Sequence, residues 1–229
     1  MFVYENKNKE ICVTFKDNKP VTNPEYIITI DEKSKQLFIN GGAEGAYESR
    51  DIVEDVIYET AETISSPVAL NIAKDVVISI PEDTDGYGVY HVTKGGSLVI
   101  NGEGIINGVG KNDYNMAIWA DGGNVTINGG KITNVGATAI VDPAHFDLIY
   151  AKNGSTVIIN DGYFECETPK WTLNLNDKNP GKIIVRGGTF VNFDPSSAET
   201  EPGGLYNFVD NGYKVIKNGN NYTVVKATE

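Results

Sequence analysis

The chain has 229 residues and a formal net charge of −12, with no block rich in lysine or arginine. That balance argues against binding nucleic acid through its phosphates, or an anionic membrane surface, because both require a basic footprint. No apolar run approaches the ~18 residues of a membrane span, and the two cysteines, Cys12 and Cys166, are too few to define a disulfide framework.

The first residues, Met1-Phe2-Val3-Tyr4-Glu5-Asn6-Lys7, lack a charged n-region followed by an apolar h-region, so no Sec signal is expected. Ile11–Phe15 and Tyr26–Ile30 are short β-rich runs, and Asp31–Lys35 separates the second from Gln36–Ile39. This pattern predicts a hairpin and a small antiparallel module over residues 1–47. The module reads equally as an attachment unit or as a cap on the structure that follows.

Residues 48–65 are expected to form a linker. Asp51 and Glu54 match a capping box, and Ile52, Val53, Val56 and Ile57 would share one face of a short helix. The same β-branched density also suits a strand through Val53–Tyr58.

From residue 66 the chain becomes repetitive. Val68–Ile72 and Val76–Ile80 read as first rungs. Gly95-Gly96-Ser97-Leu98-Val99-Ile100-Asn101-Gly102 returns as Gly122-Gly123-Asn124-Val125-Thr126-Ile127-Asn128-Gly129. Asn153–Asn160 and Pro180–Gly188 are further copies. A second apolar piece follows each, and Gly104, Gly130, Gly162 and Gly188 mark one recurring corner. Such a unit is too short to bury its own apolar face and must stack on its neighbours. The repeat is shorter than the roughly 40–50 residues of a propeller blade. The expected fold is therefore all-β: a right-handed parallel β-helix over 66–195, with asparagine and glycine at its corners.

Three insertions, Gly108–Asn115, Pro143–Phe146 and Pro169–Asn179, interrupt the coil and are expected on one face, often the binding face of a solenoid. Pro195–Gly204 reads as an exposed loop. Asn218-Gly219-Asn220 between alternating runs predicts a hairpin that closes the C-terminal end over 196–229. Asn124, Asn153 and Asn221 begin glycosylation-type triplets, read here as turn chemistry.

Motifs for chemistry are sparse. Gly102-Glu103-Gly104-Ile105-Ile106-Asn107 lacks the last glycine of a dinucleotide fingerprint, and Gly108-Val109-Gly110-Lys111-Asn112 lacks the spacing of a phosphate loop. Asp83-Thr84-Asp85-Gly86 is a calcium-loop fragment without its remaining ligands. No metal, cofactor or catalytic set is assigned. His145, with Asp142 or Asp147, suits acid–base work or the fixing of its own loop. Tyr114, Phe146 and Trp171 lie in or beside the insertions as possible contacts for a sugar or a partner, whereas Trp119, between Ile118 and Ala120, is expected to be buried. The candidate contact set is thus Tyr114, His145, Phe146, Asp147 and Trp171.

Gly95–Ile100, Asn115–Gly123, His145–Tyr150, Thr168–Asn174 and Gly187–Phe193 resemble segments of β-helical proteins of tailed bacteriophages, the head-fibre or virion decoration proteins. The resemblance spans roughly residues 75–225. It implies a non-enzymatic virion protein, commonly a homotrimer. Residues 1–47 would attach to the capsid protein while the solenoid meets host-surface or mucus glycans, without nucleic-acid or membrane partners. Assembly in the host cytoplasm agrees with the expected lack of a Sec signal. Two other readings stay open: a tailspike-type polysaccharide lyase or hydrolase, with two carboxylates, or a carboxylate and a lysine such as Lys152, converging beside Pro143–Asp147; and a glycan-binding adhesin exposing Trp171 and Tyr114.

Overall fold

The computed structural model describes residues 2–5, 11–14, 27–31, 36–40, 47–81, 88–109, 116–136 and 147–227. The chain divides into two compact units, Met1–Glu48 and Ser49–Glu229. In the first, β1 (Phe2–Glu5) pairs antiparallel with β2 (Ile11–Thr14), and β3 (Ile27–Asp31) with β4 (Gln36–Asn40). The antiparallel pairing expected from Tyr26–Ile39 is present.

The second unit is a parallel β-solenoid. Its first turn holds β5 (Glu48–Ile52), β6 (Val56–Ile57) and β7 (Glu62–Ile64). The next holds β8 (Pro67–Ile72), β9 (Val77–Ser79) and β10 (Tyr90–Thr93), and then come β11 (Ser97–Gly102), β12 (Ile105–Asn107) and β13 (Ile118–Asp121). In the two turns after that, the first two strands merge into one bent strand: β14 (Asn124–Asn134) precedes β15 (Ile149–Lys152), and β16 (Thr156–Cys166) precedes β17 (Leu173–Leu175). β18 (Lys182–Val185) and β19 (Thr189–Val191) end the coil. Pro67, Ser97, Asn124, Thr156 and Lys182 stand in register, so the coil makes about four turns between them.

Register explains the sequence repeat. Val68, Leu98, Val125, Val157 and Ile183 form one inward stack, and Leu70, Ile100, Ile127, Ile159 and Val185 a second. Ile78, Ile106, Ile132, Phe164 and Phe190 form a third, closing with two phenyl rings stacked 4.6 Å apart. Each fully buried side chain of this kind contributes about 1.5–3 kcal/mol of transfer energy. At the corners, a Cβ on Gly130 would lie 2.9 Å from the Gly104 carbonyl oxygen, and one on Gly188 3.0 Å from that of Gly162. Both glycines also hold positive φ. Glycine recurs there because successive backbones approach closely in a left-handed conformation.

The corner asparagines are a ladder, as their spacing suggests. Asn71 Nδ2 donates to Asp51 Oδ1 at 2.8 Å, Asn101 Nδ2 to Asn71 Oδ1 at 3.1 Å, Asn128 Nδ2 to Asn101 Oδ1 at 2.9 Å, and Asn160 Nδ2 to Asn128 Oδ1 at 2.8 Å. Asn71, Asn101 and Asn128 each use both a donor and an acceptor, so the chain of bonds runs unbroken from Asp51 to Asn160.

Two expectations are corrected. Residues 48–65 form neither a linker nor a capping helix; they are the first turn, so the solenoid begins before residue 66. β6 pairs parallel with β9, and β7 with β10. The carboxylates of Asp51 and Asp55 serve the next turn instead of a helix start: Asp55 Oδ1 accepts the Val77 amide at 2.8 Å. Tertiary pairing supplies what a lone helical turn could not. Nor is Pro195–Gly204 a simple exposed loop. Ala198 and Thr200 are buried, and β20 (Ala198–Glu199) pairs with β21 (Leu205–Tyr206).

The C-terminal segment closes the solenoid on three sides. The hairpin of β22 (Tyr213–Asn218) and β23 (Asn221–Lys226) pairs antiparallel with β19. Phe208 O and the Asp210 amide bond Val185 on β18. The Glu201 amide donates to Asn174 Oδ1 beside β17. Edge strands with unpaired groups are thereby covered at this end.

Candidate functional site: the outward face of the five-stranded sheet

β7, β10, β13, β15 and β17 form one parallel five-stranded sheet. β17 follows the short turn Pro169–Trp171, so the stretch Pro169–Asn179 expected as one insertion instead holds a buried strand of this sheet. Residues 110–115 and 137–146, which carry the other two expected insertions, lie outside the described residues.

Strand alternation sorts the sheet's two faces. Tyr90, Ile118, Ile149 and Leu173 point inward, as do Val92, Ala120, Ala151 and Leu175. The rows between them point outward: Thr63, His91, Trp119, Tyr150 and Asn174, and beside it Thr93, Asp121 and Lys152. The outward rows are polar and aromatic, and five strands at about 4.8 Å spacing make a strip of roughly 19 Å.

Two networks hold this strip. In the first, His91 Nε2 lies 3.2 Å from Asp121 Oδ2, and Asn153 Nδ2 donates to Asp121 Oδ1 at 2.6 Å. Lys152 Nζ is 4.0 Å from Asp121 Oδ2. The His91 ring stacks on Trp119 at 4.5 Å, and Lys152 Nζ sits 4.9 Å from the centroid of the same indole. Trp119 is thus wedged between an imidazole and an ammonium, packed with Met116 and Tyr150 in a cluster separate from the main core. Cation–π contact of this kind is worth about 0.5–2 kcal/mol.

In the second network, Asn174 is fully buried and uses all of its bonding capacity. Its Nδ2 donates to Asp147 Oδ1 at 3.0 Å and to Glu201 Oε1 at 3.1 Å; its Oδ1 accepts the amides of Leu175 and Glu201. Tyr150 donates its hydroxyl to Glu201 Oε2 at 2.9 Å and accepts from Asn176 Nδ2 at 2.8 Å. Burial, reinforced by the Glu201 and Asp147 carboxylates, pushes the Tyr150 hydroxyl well above the ordinary phenol range. It therefore remains a donor across physiological pH. Glu201 comes from the C-terminal segment, so the same residue that ties that segment down also completes the network.

Of the residues singled out from sequence, Tyr114, His145 and Phe146 lie outside the described residues. Asp147 is only 4% exposed. Its carboxylate faces Asn174, which corrects its assignment as a surface contact: with Leu148 it begins the return into the core, and the buried amide draws it inward. Trp171 ends a short 3-10 turn, Pro169–Trp171, and is half-buried with Lys170 Nζ 4.8 Å from its ring. Trp119 is buried as expected, but on the outside of the sheet.

Sequence reasoning missed His91, Asp121, Tyr150, Asn174 and Glu201. A signal for the first four existed. Tyr90-His91-Val92-Thr93, Ile118-Trp119-Ala120-Asp121, Ile149-Tyr150-Ala151-Lys152 and Leu173-Asn174-Leu175-Asn176 are one further stretch of the repeat, just upstream of the corner. Glu201 carried no signal, since it lies outside the repeat.

Fold and site together define a capped parallel β-solenoid with one outward polar–aromatic strip. No known protein family matches the chain, nor does any curated protein or solved structure.

Proposed function

We propose that this chain is a fibre-type structural protein that presents a saccharide-recognition strip. The observation carrying this reading is the outward face of the five-stranded sheet, where hydroxyl, amide and charged groups are fixed in register around the largely buried Trp119 and Tyr150 rings. Recognition sites favour such pre-organised polar groups next to aromatics. The likeness of residues 75–225 to phage head-fibre proteins supplies the setting: a homotrimer on a phage virion, with residues 1–47 bound to the capsid protein and the solenoid meeting host-surface or mucus glycans.

The test is a glycan array probed with the full chain, with light scattering on the full chain and on a form starting at Ser49, which keeps the first turn. Binding to host or mucus glycans by a trimer that becomes monomeric on truncation is the expected result. A monomer in both forms with no glycan retained defeats it.

A specific observation favours a second reading, a polysaccharide-cleaving enzyme. Asp121 and Lys152 approach to 4.0 Å, and Asp147 and Glu201 share the Asn174 amide. Release of new reducing ends or unsaturated products from a polysaccharide panel, abolished by Asp121→Asn or Glu201→Gln, would establish it.

A further inference from the structure

Within the strip, one group of polar side chains is part-exposed and held in place by its neighbours. Asp121, His91 and Lys152 keep 22%, 19% and 26% of their side-chain surface exposed, enough for contact but too little for free movement. The Asp121 carboxylate is oriented by Asn153 on one oxygen and His91 on the other. Lys152 Nζ stands 4.0 Å away, beyond hydrogen-bond length, with three donors on its ammonium.

An acceptor carboxylate next to an ammonium and an amide is the complement of two neighbouring hydroxyls, each of which donates one bond and accepts another. The surrounding charge selects against a carboxylate or sulfate. Asp147 and Glu201 lie in the adjoining network, and the whole chain carries −12. A polyanion would meet repulsion at the strip and from the field of the molecule.

We propose that Asp121, Lys152 and Asn153 form a subsite for an uncharged sugar bearing two adjacent hydroxyls, seated at the edge of the Trp119 ring. The proposal rests on the saccharide reading of the same strip and adds the ligand's charge class and the residues that read it.

The experiment is affinity electrophoresis of the full chain through gels containing mannan, dextran, arabinogalactan or polygalacturonate, repeated at low and high salt. Retardation by at least one neutral polymer, little changed by salt, is expected, with none by polygalacturonate. Asp121→Asn, nearly isosteric, removes a charge-assisted bond and should weaken retention by about tenfold or more. Lys152→Gln should do the same, with cooperative melting confirming that each variant is folded. Retention by polygalacturonate that Lys152→Gln abolishes would overturn the neutral-sugar assignment while keeping the saccharide reading. Neutral-polymer retention unchanged in both variants would overturn the subsite. No retention by any of the four together with binding on the glycan array would overturn the subsite while keeping the saccharide reading, and no retention together with an empty array would remove both.

Discussion

The two faces of the five-stranded sheet are built from the same strands yet obey different rules. Inward, Ile118, Ile149 and Leu173 are interchangeable apolar volume, and any residue that fills the space serves. Outward, His91, Trp119, Tyr150 and Asn174 occupy the adjacent register positions, and each makes contacts that its neighbour's side chain could not make. Stability resides mainly in the first set and specificity in the second, although Trp119 and Tyr150 on the outward face are buried too and Asn174, with no exposed surface, is the extreme exception.

Substitutions can break that division, beginning with the interior. Phe164→Ala removes a fully buried ring stacked on Phe190. It should cost about 3–5 kcal/mol and lower Tm by roughly 6–20 °C for a chain of this size, as read by thermal or urea unfolding. Asn174→Ala tests the exception. It strips partners from two carboxylates and two backbone amides, so a loss of about 2–3 kcal/mol is expected. Faster amide exchange should appear across Ala198–Gly203. A loss below about 0.5 kcal/mol with unchanged exchange would show that Glu201 does not anchor the C-terminal segment. Asn128→Ala interrupts the corner ladder between Asn101 and Asn160 and should cost about 1–2 kcal/mol, more than Asn71→Ala near the end of the ladder.

High pH should sharpen the contrast from inside. Burial pushes the Cys166 thiol up to about 12 from its ordinary 9.0, and burial raises the hydroxyls of Tyr90 and Tyr150 as well. These groups ionise more easily unfolded than folded. The thiol's contribution is complete below pH 9 and lost as pH rises through about 12, whereas that of the two hydroxyls is complete below pH 10.0 and is lost at still higher pH. Unfolding midpoints should fall over that window, and in a Cys12→Ser background Cys166 should resist thiol reagents at pH 8 until the chain unfolds. The smallest effect belongs to the surface. Arg186 donates to Asp210 at 2.8 Å and holds that carboxyl below its usual range, so the pair stabilises above the carboxylate's unfolded pKa and is lost in acid. Both side chains are a third or more exposed, and Arg186→Ala should cost less than about 1 kcal/mol.

The solenoid was legible because its physics is periodic. β-branched stacks, corner glycines and ladder asparagines recur at the interval of a turn, and each can be recognised from local chemistry. The first turn was harder to read. Ile52, Val53, Val56 and Ile57 suit a helix or a strand equally, and the choice was made by hydrogen bonds to β8 and β9 that local sequence does not contain. The candidate site was legible only in fragments. Trp119 and Lys152 drew notice as residue types, but His91 and Asp121 gain meaning only when successive turns are stacked.

By itself, then, the sequence determined a parallel coil, its corners and its C-terminal hairpin, because each follows from a local rule. Tertiary structure alone decided that Asp147 turns inward, that Pro195–Gly204 packs on the coil, and that Glu201 joins Tyr150 and Asn174 across 51 and 27 residues. Those outcomes depend on which side chains the closed coil brings within 3 Å or so of one another, and separation along the chain carries no record of that distance.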